Sequence, residues 1–378
     1  MRVLLLEYLH AQSDAWLQAS AGMKAEGRAM LTAVIEDLQG HADVDVTVAA
    51  CQAAQLNGES CHVLQIADGP EFEFPELLMA AISRSSFDRV LVIAPETAGI
   101  LRRVVQRLRH GRQHVVAPSL QAISLCTDKL ATCQFLQRHR LPAIASVPLP
   151  QFSRLGLTAE QQVVIKQIDG AGSENVTRLT VDQFQASVLS TVQATVASLR
   201  SERAIDQAID DAIDDVPDEP DYLRLPQNYL VQPFIAGRSF SVAAIGRGEH
   251  LPPLLLPVCE QAVVWHNDAC RYDGGVVQPE LAEPLIEQLQ TLTFRICQAI
   301  NLRQGYLGVD FVVDETSPEN APDVYVAEVN PRLCTSYAGY RQLAEDNLAR
   351  ALLQIDQFER LSFQPGEHAF RVSPTTPK

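Results

Sequence analysis

No apolar run in this chain approaches the roughly 20 residues that a helix needs to cross a bilayer. The opening Met1-Arg2-Val3-Leu4-Leu5-Leu6 is interrupted by Glu7, too soon for a secretory leader. A cytoplasmic protein without a membrane partner is expected. Basic charge is scarce: 30 Lys and Arg stand against 46 Asp and Glu, a formal net charge of −16. Non-specific nucleic-acid binding needs a basic footprint, so a nucleic-acid partner is not expected. Eight cysteines occur, but no Cys-x-x-Cys pair. That argues against a zinc site and a disulfide framework and favours reduced thiols. Cys126 and Cys133, seven apart, are expected on one face of a single helix. The first predicted strand is not followed by Gly-x-Gly-x-x-Gly, and no Gly-Lys-Ser/Thr phosphate loop is present.

The remaining composition is that of a soluble globular protein, with 47% hydrophobic and 20% charged residues over 378 positions, enough for two or three domains. Over residues 1–118, short apolar strands at 3–6, 44–49, 90–93 and 114–117 alternate with helical patterns at 14–38, 75–83 and 100–109. Such alternation predicts a mostly parallel sheet flanked by helices. The pattern changes from Ser119. A helix is expected over 127–138, a strand over 163–167, a glycine turn, and a polar helix near 181–199. A strand, a turn at Gly237 and a second strand follow, then a polar loop to Gly275, a helix near 285–300, and two strands at 307–313 and 324–330. Residues 202–221 repeat Ala-Ile-Asp and carry about half of the acidic excess. They read as a solvated insertion ended by Pro217 and Pro220. The tail after Gln364 is expected to fray.

Two segments carry chemistry. Asp310 lies in the first of the last two strands, and Glu328 and Asn330 end the second, with Arg332 just beyond. Pairing of the strands would gather two carboxylates and an amide. These are hard oxygen donors of the kind Mg²⁺ takes together with substrate phosphates. The second segment is Lys166-Gln167-Ile168-Asp169-Gly170-Ala171-Gly172-Ser173, a lysine at a strand end followed by a small-residue turn. Lysine supplies a compact positive charge, and glycines let backbone N–H groups approach phosphate oxygens. Taken alone, that segment reads better as a plain hairpin turn.

In chain order, Lys129, Lys166 with its glycine turn, Gln232–Gly237, Asp310 and Glu328-x-Asn330-x-Arg332 resemble the ATP-grasp superfamily. The resemblance covers roughly residues 119–360. It implies an α/β and α+β architecture: an N-terminal βα domain (1–118), a connecting helix region (119–145), a lid subdomain (146–235) containing the acidic insertion, and a C-terminal subdomain with the metal site (236–378). It implies ATP and Mg²⁺ as cofactors, with Mn²⁺ as an alternative, and small-molecule carboxylate and amine substrates. Homodimerisation, common in the superfamily, is left open. Lys129, Lys166, Gly170, Gly172 and Ser173 would contact the phosphates. Gln232, Pro233 and Ile235 would meet the adenine, and Asp310, Glu328 and Asn330 would hold the metal. Arg332 would stabilise the transferred phosphoryl group and the acyl-phosphate. Ser239 and Gly308 stand where many relatives carry a glutamate and an arginine, so Arg271 is a further candidate for acyl-phosphate stabilisation.

The segments Leu6-Glu7-Tyr8, Glu26-Gly27-Arg28-Ala29-Met30 and Asn330-Pro331-Arg332-Leu333-Cys334-Thr335-Ser336-Tyr337 resemble one branch of the superfamily, that of tyramine–glutamate ligase in methanofuran biosynthesis. The same resemblance leaves open another acid–amine pair, and a nucleotide-binding scaffold without catalysis.

Overall fold

Leu4, Leu5 and Leu6 are apolar without alternation, because the strand that contains them is covered on both faces. In the computed structural model, β1 (Arg2–Glu7) sends Val3 and Leu5 into one core and Leu4 and Leu6 into another. The structure describes residues 1–56, 61–83, 85–172, 176–188, 225–266, 268–318 and 321–372. Ser173 and the acidic insertion at 202–221 lie outside these residues.

After β1 come α1 (Tyr8–Ala11), α2 (Ser13–Gln18) and α3 (Ala21–Leu38). The single long helix expected over 14–38 is therefore two helices. Ala19 is extended, and Ser20 caps the second helix by accepting a hydrogen bond from the Met23 N–H. Then follow β2 (Asp45–Ala50), β3 (His62–Gln65), α4 (Phe74–Ile82), β4 (Arg89–Ile93), α5 (Ile100–His110) and β5 (Val115–Val116). All pairings among these strands are parallel, in the order β3-β2-β1-β4-β5. This is the predicted parallel sheet; β3, short and half-buried, has too weak a pattern to be seen in the sequence.

The helix expected over 127–138 is preceded by another. α6 (Leu120–Thr127) and α7 (Lys129–Arg138) are separated at Asp128, whose side chain accepts the Ala131 N–H and caps α7. Cys126 and Cys133 therefore sit on different helices, both buried and both free thiols. Next come β6 (Val147–Pro148), β7 (Gln162–Gln167), β8 (Thr177–Thr180), β9 (Tyr229–Pro233), β10 (Gly237–Ile245), β11 (Leu254–His266) and β12 (Ala269–Val277). The helix expected at 181–199 is seen over 181–188, and the remainder lies outside the described residues. The chain continues through α8 (Glu283–Ala299), β13 (Tyr306–Asp314), β14 (Val324–Asn330), α9 (Tyr337–Leu343), α10 (Leu348–Leu352) and β15 (His368–Phe370).

Three expectations are corrected here. The turn lies before Gly237, which itself begins β10. A Cβ there would stand 2.0 Å from the Val313 carbonyl oxygen, so glycine permits the close approach of β10 and β13. The presumed loop to Gly275 is instead the second part of β11 and most of β12. The tail does not fray at Gln364, because β15 pairs with Gly275–Val277.

The chain divides into two compact units. The first comprises 1–143, 236–264 and 272–378, and the second 144–235 and 265–271. In the first, β14-β13-β10-β11-β12 form a sheet beside the parallel one. Leu307, Val309, Phe311 and Val313 of β13 face a core with Leu289, Leu292 and Ile296 of α8. Alternation then turns Tyr306, Gly308 and Asp310 to the opposite face. In the second unit, β8-β7-β9-β6 pack Val163, Ile165, Tyr229 and Val231 against Leu149, Val181 and Phe184.

Candidate active site

β13 and β14 are antiparallel, with Asp310 directly opposite Glu328 and Gly308 opposite Asn330. The register shifts between Asp310 and Phe311, whose partner is Val326, so Ala327 is an extra residue in β14. That bulge lets both Val326 and Val329 reach the α8 core while Glu328 and Asn330 stay beside Asp310. Strict alternation would have turned Glu328 to the same face as Val326. A bulge that re-aims a side chain is a recurrent device at functional sites.

Asp310 Oδ2 accepts the Asn330 amide N–H at 2.8 Å, and Oδ1 accepts that of Gln261 at 2.9 Å. Burial, with Glu328 opposite, pushes the Asp310 carboxyl up to about 7, against the opposing hydrogen bonds from Asn330 and Gln261 and the charge of Arg332. Lys129, in the first turn of α7, lies with Nζ 3.1 Å from Glu328 Oε1. Arg332 Nε donates to Glu96 Oε2 at 2.9 Å, and the second oxygen of Glu96 is buried without a hydrogen-bond partner. Burial works to lower the Arg332 guanidinium, but Glu96 outweighs it and holds the group above its ordinary value. Gly308 leaves little room for a side chain here, because a Cβ would lie 2.4 Å from Cys334 Sγ and force it to shift.

The first unit thus brings together Lys129, Asp310, Glu328, Asn330 and Arg332. It adds Gln261 and Glu96, which sequence reasoning missed. Glu96 had one signal, an acid just past the carboxyl end of a predicted parallel strand, where open α/β sheets bind ligands. Gln261 had none. The donors fit a hard divalent cation: two carboxylates and an amide oxygen, at a place where buried negative charge is in excess. Among the described residues, no group of three or more His, Cys, Asp and Glu is placed to hold a metal ion.

In the second unit, Lys166 on β7 and Gln232 on β9 are 7% and 6% exposed. Lys166 pairs with Leu230, and Val164 with Gln232. These four share the face opposite the apolar core, so a buried cation and a buried amide look away from the hydrophobic cluster. Gln232 Oε1 accepts from Ser146 Oγ at 3.2 Å and retains a second lone pair. Pro233 pairs with Val163 at the end of β9, and Ile235 is half-buried just beyond. Gly170 and Gly172 lie between β7 and β8, and Arg271 is exposed on β12.

A family model described as an ATP-grasp domain matches residues 211–336, and one described as a pre ATP-grasp 3 domain matches 46–123. The chain thus matches a pre-ATP-grasp domain ahead of an ATP-grasp domain, and its fold is that of ATP-grasp proteins. It is similar to the tyramine–L-glutamate ligase of Methanocaldococcus fervens, 22% identical over 315 residues that cover 83% of this chain and 81% of that protein. In fold it resembles an ATP-grasp superfamily protein from Archaeoglobus fulgidus, with a TM-score of 0.61 at 18% identity over 96% of this chain and 90% of the other. It also resembles the L-amino acid ligase of Bacillus licheniformis, with a TM-score of 0.62 at 14% identity over 93% and 74%. No helix among the described residues is long and apolar enough to cross a membrane.

Proposed function

We propose that this protein is an ATP-dependent ligase that joins a carboxylic acid to an amine through an acyl-phosphate, with glutamate and tyramine, or a similar amine, as the substrate pair. The observation that carries the reading is the face on which Asp310, Glu328 and Asn330 converge beside Arg332. A half-buried pair of facing carboxylates is costly unless a cation offsets it. Likeness to tyramine–L-glutamate ligase supports the substrate pair, and a place in the synthesis of a methanofuran-type cofactor rests on the sequence resemblance to that branch.

Asp310, Glu328 and Asn330 would hold Mg²⁺, which supplies charge neutralisation for the phosphates when bound. Lys129, Lys166 and the turn at Gly170 and Gly172 would bind the phosphates, and Gln232, Pro233 and Ile235 the adenine. Arg332, fixed by Glu96, would meet the charge that builds on the phosphoryl group as the substrate carboxylate attacks it. Arg271 is a second candidate for the acyl-phosphate. The chemistry asks the protein for positioning and electrostatics rather than for a covalent intermediate.

The test is ADP release from Mg²⁺-ATP and glutamate, with and without tyramine, with products weighed by mass spectrometry. ADP together with a glutamyl-amide adduct is expected. Arg332→Ala should lower turnover by about 10³-fold or more while ATP binding persists. Absence of ADP with any carboxylate in a panel, despite ATP binding, would replace the ligase by a nucleotide-binding scaffold.

A further inference from the structure

Glu7 and His10 have no part in the assignments above, yet they are among the most deeply buried polar residues of the first unit, at 3% and 0% exposure. Glu7 ends β1 and caps α1. Its Oε2 accepts the His10 backbone N–H at 3.0 Å and lies 2.5 Å from His10 Nδ1. A carboxylate can only accept, so this contact keeps the proton of the neutral ring on Nδ1 and leaves a lone pair on Nε2. Nε2 is buried and has no hydrogen-bond partner. The His10 carbonyl accepts from the Cys51 N–H at 2.7 Å, which ties the residue to the end of β2.

Gly27 belongs to the same arrangement. A Cβ on Gly27 would stand 2.8 Å from Glu7 Oε1 and 2.9 Å from Glu7 Cδ. Helix α3 thus passes Glu7 so closely that only glycine fits without displacing the carboxylate. The segments Leu6-Glu7-Tyr8 and Glu26-Gly27, far apart in sequence, form one device that orients an imidazole.

Its place in the fold is informative. Glu7 pairs with Ile93 of β4, and Glu96, three residues further on, holds Arg332. Strands β1 and β4 are where the sheet order reverses: β2 and β3 lie to one side, β5 to the other. Open α/β sheets bind ligands at the carboxyl ends of strands at such a switch point. The imidazole and the Arg332 anchor therefore rise from adjacent strand ends.

A primary alkylamine is an ammonium ion at neutral pH and has no lone pair for attack. We infer that His10, oriented by Glu7 and by the space at Gly27, is the general base that takes a proton from the amine substrate at Nε2. This inference rests on the ligase reading. The ammonium gives one proton to Nε2, and the neutral nitrogen then attacks the acyl carbon. The C–N bond forms as the C–O bond to phosphate breaks, and phosphate leaves with that electron pair. The second proton lost from nitrogen goes to the departing phosphate. Trp16 lies over the imidazole, with ring centroids 4.8 Å apart. It stands on α2, a two-turn helix with no fully buried residue, packed by Ala15 and Trp16 against the neighbouring core, and a shift of this helix would admit the amine.

The experiment compares the wild type, His10→Gln and Glu7→Gln with two nucleophiles, an alkylamine that the wild type accepts and hydroxylamine. Hydroxylamine is largely uncharged at neutral pH, so it traps acyl-phosphate as a hydroxamate without a base. His10→Gln is expected to form hydroxamate within about twofold of the wild type and to lose about 10²–10⁴-fold in amide formation. Glu7→Gln should show the same split with a smaller loss. Amide formation by His10→Gln within a few-fold of the wild type would overturn the inference and leave the ligase reading standing. Equal loss with both nucleophiles in both variants would overturn it in favour of a structural role. A wild type that yields neither ADP nor hydroxamate would overturn the ligase reading itself.

Discussion

Removing the Glu96 carboxylate should destabilise the protein severely, because it strands the Arg332 guanidinium. The two groups meet at 2.9 Å, with side-chain exposures of 6% and 14%. At an effective dielectric of about 20, the gross attraction at that distance is about 6 kcal/mol. Desolvation of both charges offsets much of it, so the intact pair contributes far less than this gross figure. Breaking such a pair by removing one partner typically costs about 3–5 kcal/mol, since a buried charge is left uncompensated. We expect Glu96→Ala to fall in that range, a large share of the roughly 5–15 kcal/mol that holds a domain together. Arg332→Met should cost less, because the orphaned Glu96 can take up a proton and become neutral. The double variant Glu96→Ala with Arg332→Met removes both charges and should be more stable than Glu96→Ala. Urea unfolding of the single and double variants yields the coupling energy. If Glu96→Ala cost less than about 1 kcal/mol, or if the double variant were no more stable than the sum of the singles, the buried-pair argument would fail.

Two further outcomes follow from the packing. Gly308→Ala should destabilise by about 1–3 kcal/mol through overpacking against Cys334 Sγ, and adding Cys334→Ala should restore most of the loss; thermal unfolding of the three variants tests this. Arg341 donates at 2.6 Å to Asp37, whose side chain is 10% exposed, whereas the partners of Arg350, Asp43 and Asp356, are 58% and 42% exposed. Arg341→Ala should therefore lower the unfolding midpoint more than Arg350→Ala. The Arg350→Ala effect should shrink as salt is raised, while the other should persist.

Much of the site was legible because it is local. Asp310 sits inside one apolar run and Glu328 and Asn330 end another, and two Val-rich runs joined by a short polar loop have few ways to pair. The parallel sheet was legible for a similar reason: strands covered on both faces read as unbroken apolar runs between helices. The long helix near the start was misread at Ala19 and Ser20, where one capping hydroxyl outweighs a continuous helical pattern. Cys126 and Cys133 were misplaced for the same reason, through the cap at Asp128.

Composition, period and the order of polar residues along the chain were enough to determine a βα domain, a following α+β fold and the two strands that carry the carboxylates, while the bulge at Ala327 decided that both carboxylates share a face. The domain, the fold and the strands are properties of segments, decided by local periodicity and by pairing between sequence neighbours. The tertiary structure alone decided that Glu96 holds Arg332 from 236 residues away, that Gln261 completes the shell of Asp310, and that Gly27 makes room for Glu7 beside His10. Each of these depends on how separate elements approach in space, and a single chain's sequence leaves no periodic trace of that approach.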